Sequence, residues 1–249
     1  MLRLLWQLTI IRHGEPDYDI DSLTEKGWHE AHLLADRLAA MHIDHFYVSP
    51  LGRAQDTARE TLACLNREAE TLDWLQEFRG TVIDPKTGIR SYGWDFVPQY
   101  WTRCPELYDM EGWKQNALVS TGESAQIYEE TVQGLNALLS RYGYHRSGAL
   151  YTTEQNSDAV IALFCHFGIA MNMLSYLLRI PFHLLLHGFI MAPSSITTLV
   201  TEERVKGEVW FRCTALGDTS HLYAAGEPIS HYGRYREIYG VDDGLGAKE

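Results

Sequence analysis

The chain has 249 residues, 45% of them hydrophobic and 22% charged, a soluble globular balance that suits one large α/β domain or two small ones. Its net charge of −12 argues against nucleic-acid and membrane-surface partners, which recruit an excess of Lys and Arg. An anionic small substrate stays open, because a few basic groups in one cleft outweigh the global field locally.

Cys64, Cys104, Cys165 and Cys213 form no C-x-x-C pair and no disulfide framework, which predicts four reduced thiols in a cytoplasmic protein. The apolar start, Met1 to Ile11, runs into Arg12-His13-Gly14-Glu15 with no small-residue cleavage site. It reads as a buried strand and not as a signal peptide. No apolar run is long enough to span a bilayer.

In chain order, Leu4 to Ile11 is a β-branched apolar run that predicts a strand ending in a loop. Thr24 is an N-cap candidate for a helix to Met41, with Ala31, Leu34, Ala35, Leu38 and Ala39 at helical spacing. Phe46-Tyr47-Val48 makes a second strand, stopped by Ser49-Pro50. A helix follows from Gly52 or Arg53 through Cys64, with Ala54, Thr57, Ala58, Thr61 and Leu62 on its inner side. From Arg79 to Thr121 the periodicity dissolves among Gly80, Pro85, Gly88, Gly93, Pro98, Pro105 and Gly112, yet the stretch is rich in aromatics. Breakers oppose long elements and aromatics oppose disorder, so residues 79–121 read as a packed insertion.

Gly122-Glu123-Ser124 opens a helix to about Tyr142, and a polar stretch follows with Leu150-Tyr151-Thr152 briefly extended. Val160 to Phe164 is continuously apolar, as in a strand buried on both faces of a parallel sheet. Ile169 to Leu178 is the next helix, closed by Pro181. Ile196–Val200 and Glu208–Thr214 are the last strands, an edge pair joined through Lys206-Gly207. The alternation predicts a single domain over 1–249, a three-layer α/β/α sandwich. Its central sheet would be mostly parallel, with about six strands, one of them antiparallel at the edge.

Ligand sites of open α/β sheets lie beyond the carboxyl ends of the strands. Arg12-His13 and His166 each follow an apolar strand, and Arg53 opens the helix after the second strand, so all four belong to that edge. Two arginines, two histidines and a helix N-terminus make an anion site, since the guanidinium fork matches phosphoryl oxygens. Singly, each has a plainer reading: Arg12 in a strand-end ion pair, His166 as a satisfied core histidine. His183 and His187 stand four apart, as in some zinc sites, but Leu184-Leu185-Leu186 offers no third ligand, so a structural pair is expected and no metal. Cys165 and His166, as strand neighbours, point to opposite faces and make no nucleophile pair.

Arg12-His13-Gly14-Glu15, Ser49-Pro50-Leu51-Gly52-Arg53-Ala54-Gln55-Asp56-Thr57-Ala58 and His166-Phe167-Gly168 together resemble the histidine phosphatase superfamily, in its phosphoglycerate-mutase-like branch. Leu23-Thr24-Glu25-Lys26-Gly27 and Gly122-Glu123-Ser124 resemble further elements of it, in the same order. The resemblance implies a metal- and cofactor-free phosphatase in which His13 becomes phosphohistidine. Arg12, Arg53 and His166 would hold the phosphoryl oxygens, and Glu77, in Leu75-Gln76-Glu77-Phe78, would donate the proton to the leaving group. Glu15 is the alternative carboxylate, Gly14 would be a secondary site position, and His221 would line the pocket rim.

Mutases of the family show R-H-G-x-S and then Trp-Asn, whereas Glu15-Pro16-Asp17-Tyr18 follow Gly14 here, which favours hydrolysis of a small phosphorylated substrate. Phe167, and not Asp, follows His166, which sets the chain apart from the acid-phosphatase branch. Mutase-type transfer and a non-catalytic phosphate sensor are the alternatives. Tyr92, Trp94, Phe96, Tyr100, Trp101, Tyr108 and Trp113 would set specificity or, for most of them, pack the insertion, which could equally meet a second copy in a homodimer.

Overall fold

The computed structural model describes residues 5–83, 88–94, 96–155 and 157–232. Leu4, at the head of the expected first strand, Pro85 in the aromatic stretch, and the last seventeen residues of the expected domain lie outside the described residues. The chain runs β1 (Gln7–Arg12), β2 (Pro16–Asp17), β3 (Ser22–Leu23), α1 (Glu25–Ala39), β4 (His45–Val48), α2 (Gly52–Leu65) and β5 (Ala69–Thr71). Next come β6 (Thr81–Ile83), β7 (Arg90–Tyr92), α3 (Pro98–Trp101), α4 (Ser124–Ser140), β8 (His145–Ser147) and β9 (Leu150–Thr152). It closes with β10 (Val160–Cys165), α5 (Phe167–Leu178), α6 (Phe182–Gly188), β11 (Ile196–Val205), β12 (Glu208–Asp218) and α7 (Ser220–Ala225).

The central sheet has the order β5-β4-β10-β1-β11-β12-β9-β8, eight strands among the described residues. β5, β4, β10 and β1 run parallel, and β11, β12, β9 and β8 continue antiparallel. The sheet is therefore wider than expected, and its antiparallel part is four strands and not one. Two tight turns account for this. Gly207, at φ +81°, folds β12 back on β11, and Gly148, at φ +57°, does the same for β8 and β9. Both values lie where a side chain is strained and glycine is not.

Strand β10 shows why the sheet is covered on both faces. Its six residues are all buried, and they alternate between two cores. Val160, Ala162 and Phe164 join Leu34, Leu38, Ala54 and Ala58 of α1 and α2. Ile161, Leu163 and Cys165 join Leu135, Leu139, Ile169 and Leu174 of α4 and α5. The two-residue period of a strand thus builds the three layers directly. α1 starts where expected, with Thr24 Oγ1 accepting from Gly27 N at 3.0 Å.

The aromatic stretch packs onto the second of these cores. Phe96, Leu107, Trp113 and Val119 are buried in it, and Trp94, Tyr100 and Trp101 lean against it. Tyr92 and Tyr108 are exposed. Packing is thus the work of most of these rings. Among the described residues no helix is long and apolar enough to cross a membrane, and all four cysteines are free thiols.

Candidate active site

Three parallel strands end level with one another: Arg12 pairs with Cys165, and Phe164 with Val48. The residues that follow, His13, His166 and Ser49, are therefore delivered to one edge of the sheet. The ladder continues past the strand ends, since His13 N donates to Cys165 O at 3.0 Å and Ser49 N to Phe164 O at 2.9 Å. This fixes the backbone of these loops before any side chain is considered.

His13 is buried, 5.0 Å from His166 between ring centroids. Its Nδ1 stands 2.7 Å from Gly14 O. A carbonyl only accepts, so Nδ1 carries the hydrogen and the neutral ring leaves the Nε2 lone pair free. Burial, with Arg12 and Arg53 alongside, holds this imidazole well below the usual histidine range. It is neutral at physiological pH, as a nucleophile must be.

Arg12 and Arg53 are both buried. Arg12 uses one terminal nitrogen on Met191 O. Arg53 uses one on Asp21 Oδ1, at 2.6 Å. The Nε of each has no partner among the described residues, and neither has Nδ1 of His166. His166 Nε2 lies 2.8 Å from Ser49 Oγ, which already accepts from Leu51 N at 3.3 Å. With the serine hydrogen on Nε2, the ring carries its own hydrogen on Nδ1 and can donate from there. Burial first, then His13 and the two arginines, keep His166 well below the usual range as well. Three buried nitrogens without partners thus accompany His13, an arrangement that can hold an anion.

Glu77 is partly exposed, and its Oε1 accepts from Phe78 N at 2.7 Å and Ile169 N at 3.2 Å. Burial pushes its carboxyl up, against the pull of those amides, Arg12 and Arg53. It belongs to the same electrostatic group as the arginines. Glu15 is committed elsewhere: Oε1 accepts from Thr24 Oγ1 at 2.9 Å, and Oε2 from Ser230. Gly14 N donates to Thr57 Oγ1 at 3.0 Å, and a Cβ on Gly14 would stand 2.7 Å from Gly27 O, so only glycine fits between the loop and α1. His221, on α7, is buried against Ser194 Oγ at 3.1 Å. Ser194 N in turn donates to His13 O at 2.9 Å, so His221 stands behind the loop.

Sequence reasoning missed Asp21, Tyr18, Ser49 and Ser194. Asp21 binds Arg53 and, through Oδ2, accepts from Gly52 N at 2.7 Å, capping α2. A Cβ on Gly52 would stand 2.1 Å from Asp21 O, so that glycine was the available signal. Tyr18 lies with its ring 5.1 Å from the Arg53 guanidinium. His183 and His187 stack on Phe96 at 5.3 and 5.2 Å and form the structural pair expected. Among the described residues no group of three or more His, Cys, Asp or Glu side chains is placed to hold a metal ion.

Known proteins share this fold. The chain is 36% identical over 72 residues to the 2,3-bisphosphoglycerate-dependent phosphoglycerate mutase of Thermoplasma acidophilum. That match covers 25% of this chain, and the chain spans only 36% of the mutase's length. The phosphoserine phosphatase of Entamoeba histolytica, solved as a mutant with phosphoserine, superposes with a TM-score of 0.58 at 19% identity, over 88% of this chain and 100% of that one. A mycobacterial glucosyl-3-phosphoglycerate phosphatase gives 0.58 at 19% identity, over 86% and 99%. At these identities the likeness is one of fold. The profile of the histidine phosphatase superfamily (branch 1) matches residues 8–213, and the chain belongs to that family.

Proposed function

We propose that the chain is a phosphomonoesterase that hydrolyses a small phosphorylated metabolite through a phosphohistidine on His13. The observation that carries this reading is the His13 ring, whose Nδ1 is tied to Gly14 O while Nε2 faces no partner among the described residues. Nε2 attacks phosphorus in line, the bond to the leaving oxygen breaks, and Glu77 gives that oxygen its proton. Water then attacks the phosphohistidine, Glu77 takes the water's proton, and the P–N bond breaks to release phosphate and restore neutral His13. Arg12, Arg53 and His166 supply the positive charge and hydrogen bonds that a metal supplies elsewhere.

The partial match to a mutase favours a second reading, phosphoryl transfer to an acceptor other than water. One experiment separates these readings from a non-catalytic phosphate sensor. Wild-type protein is incubated with p-nitrophenyl phosphate in excess chelator, quenched in base and assayed for an acid-labile label. The expected result is turnover, with labelling that is lost in His13→Ala. Binding of phosphate without turnover overturns the enzyme reading, and a requirement for added magnesium or zinc overturns the metal-free mechanism.

A further inference from the structure

We propose that the hydroxyl of Tyr18 is a fourth donor to the transferred phosphoryl group, beside Arg12, Arg53 and His166. The proposal rests on the phosphatase reading above and adds to it a residue of this chain's own first loop. β2 and β3 pair Pro16 with Leu23 and Asp17 with Ser22, so the loop from Tyr18 to Asp21 is closed at its base. Asp21 then ties the loop to the head of α2 through Gly52 N and Arg53. The loop cannot swing without releasing Arg53.

Within that loop the Tyr18 ring lies 5.1 Å from the Arg53 guanidinium carbon, and the Tyr232 ring packs against it at 5.7 Å. Tyr18 is 54% exposed, yet it lies within electrostatic reach of Arg12, Arg53 and Glu77. The phenol therefore stands beside Arg53 at the mouth of the site. Its hydroxyl makes no hydrogen bond among the described residues. Burial raises its pKa above the ordinary value, so it stays protonated and donates. The plainer role, a ring that only covers Arg53 by cation–π contact, needs no hydroxyl.

The hydroxyl is what the test removes. Tyr18→Phe keeps the ring over Arg53, and Tyr18→Leu removes both ring and hydroxyl. Each is measured for kcat/KM with an aryl and an alkyl phosphate, for the dissociation constant of orthovanadate by calorimetry, and for Tm. A hydrogen bond to a charged group predicts a loss of roughly 10- to 100-fold in kcat/KM for Tyr18→Phe, and a comparable weakening of vanadate, at unchanged Tm. Because the donor touches the transferred group, the loss is the same for both leaving groups. Wild-type kcat/KM and vanadate affinity in Tyr18→Phe overturn the proposal, whatever Tyr18→Leu does. Vanadate binding reads the contact even in a protein with no turnover, so failure of the phosphatase reading is seen separately.

Discussion

Gly168, the second residue of α5, lies directly against Glu77: a Cβ on it would stand 2.8 Å from Glu77 Oε1 and 2.8 Å from Phe78 Cβ. The helix that follows His166 thereby receives the carboxylate on its first turn, where Ile169 N donates to it. Gly168→Ala removes the room. The expected outcome is displacement of Glu77, with kcat toward an alkyl phosphate falling more than kcat toward p-nitrophenyl phosphate. Parallel kinetics on the two substrates check it, and an equal change on both contradicts it.

Arg53 and Arg12 each divide one guanidinium between a fixed protein acceptor and an unpartnered Nε. A lysine ammonium is a single point and cannot hold Asp21 or Met191 O while also presenting a second donor. Arg53→Lys and Arg12→Lys are each expected to lose on the order of a hundredfold in kcat/KM. Full activity in both variants would mean that charge suffices without the fork. Asp21→Asn keeps only one of the two acceptor oxygens, so either Arg53 or Gly52 N loses its partner, but the guanidinium itself stays and a smaller loss is expected there.

Much of this site was legible in the sequence because it is carried by local pattern. The apolar runs before Arg12-His13 and before His166, and the helix after Ser49-Pro50, place their flanking residues on one sheet edge by topology alone. Asp21 reaches Arg53 across 32 residues, and His221 reaches Ser194 across 27. Such polar contacts leave no periodicity to read. The short strands Ala69–Thr71 and His145–Ser147 were hidden for a related reason, since they are half-exposed and pair only at the sheet margins. The start of α5 at Phe167, two residues earlier than the apolar spacing implied, follows from the site itself, because His166 takes the N-cap position.

Stability should fall on acidification, for a reason visible in the buried histidines. Burial holds His183 down at about 3 and His221 at about 4, against an ordinary value of 6.5. Between pH 7 and pH 5 the unfolded chain takes up protons that the fold refuses, a loss of about 2 kcal/mol for each of the two. His13 and His166 act in the same direction. Glu30 opposes them. Burial raises it from 4.5 to about 7, so over that window the fold takes up a proton that the unfolded chain does not, a gain of about 2 kcal/mol. Glu77, also pushed up by burial, opposes them too; the histidines outnumber the two carboxylates, and the urea midpoint is expected to be lower at pH 5 than at pH 7. His183 has no partner for either ring nitrogen among the described residues. His183→Leu is therefore expected to narrow the difference, and Glu30→Gln to widen it. Equal midpoints at the two pH values would contradict the account.

The assignment of the acid is the sharpest test, because two carboxylates compete for it. Glu77 is pushed up by burial and shares its surroundings with Arg12 and Arg53. Glu15 accepts hydrogen bonds from Thr24 and Ser230 on its two oxygens, and so joins the first loop to α1 and to the segment after α7. An alkyl alcohol leaves badly as an alkoxide, and general acid help is worth about 10²–10⁴-fold. A nitrophenolate is already a stable anion and gains little. Glu77→Gln is thus expected to keep its Tm, to lose most activity toward sugar or alkyl phosphates and to lose much less toward p-nitrophenyl phosphate. Glu15→Gln weakens the hold on Thr24 and Ser230, so it is expected to lower Tm and to reduce both activities alike. A leaving-group split at Glu15 and none at Glu77 would transfer the role of acid to Glu15. An equal loss on both substrates at Glu77 would leave that residue a positioning part for the start of α5.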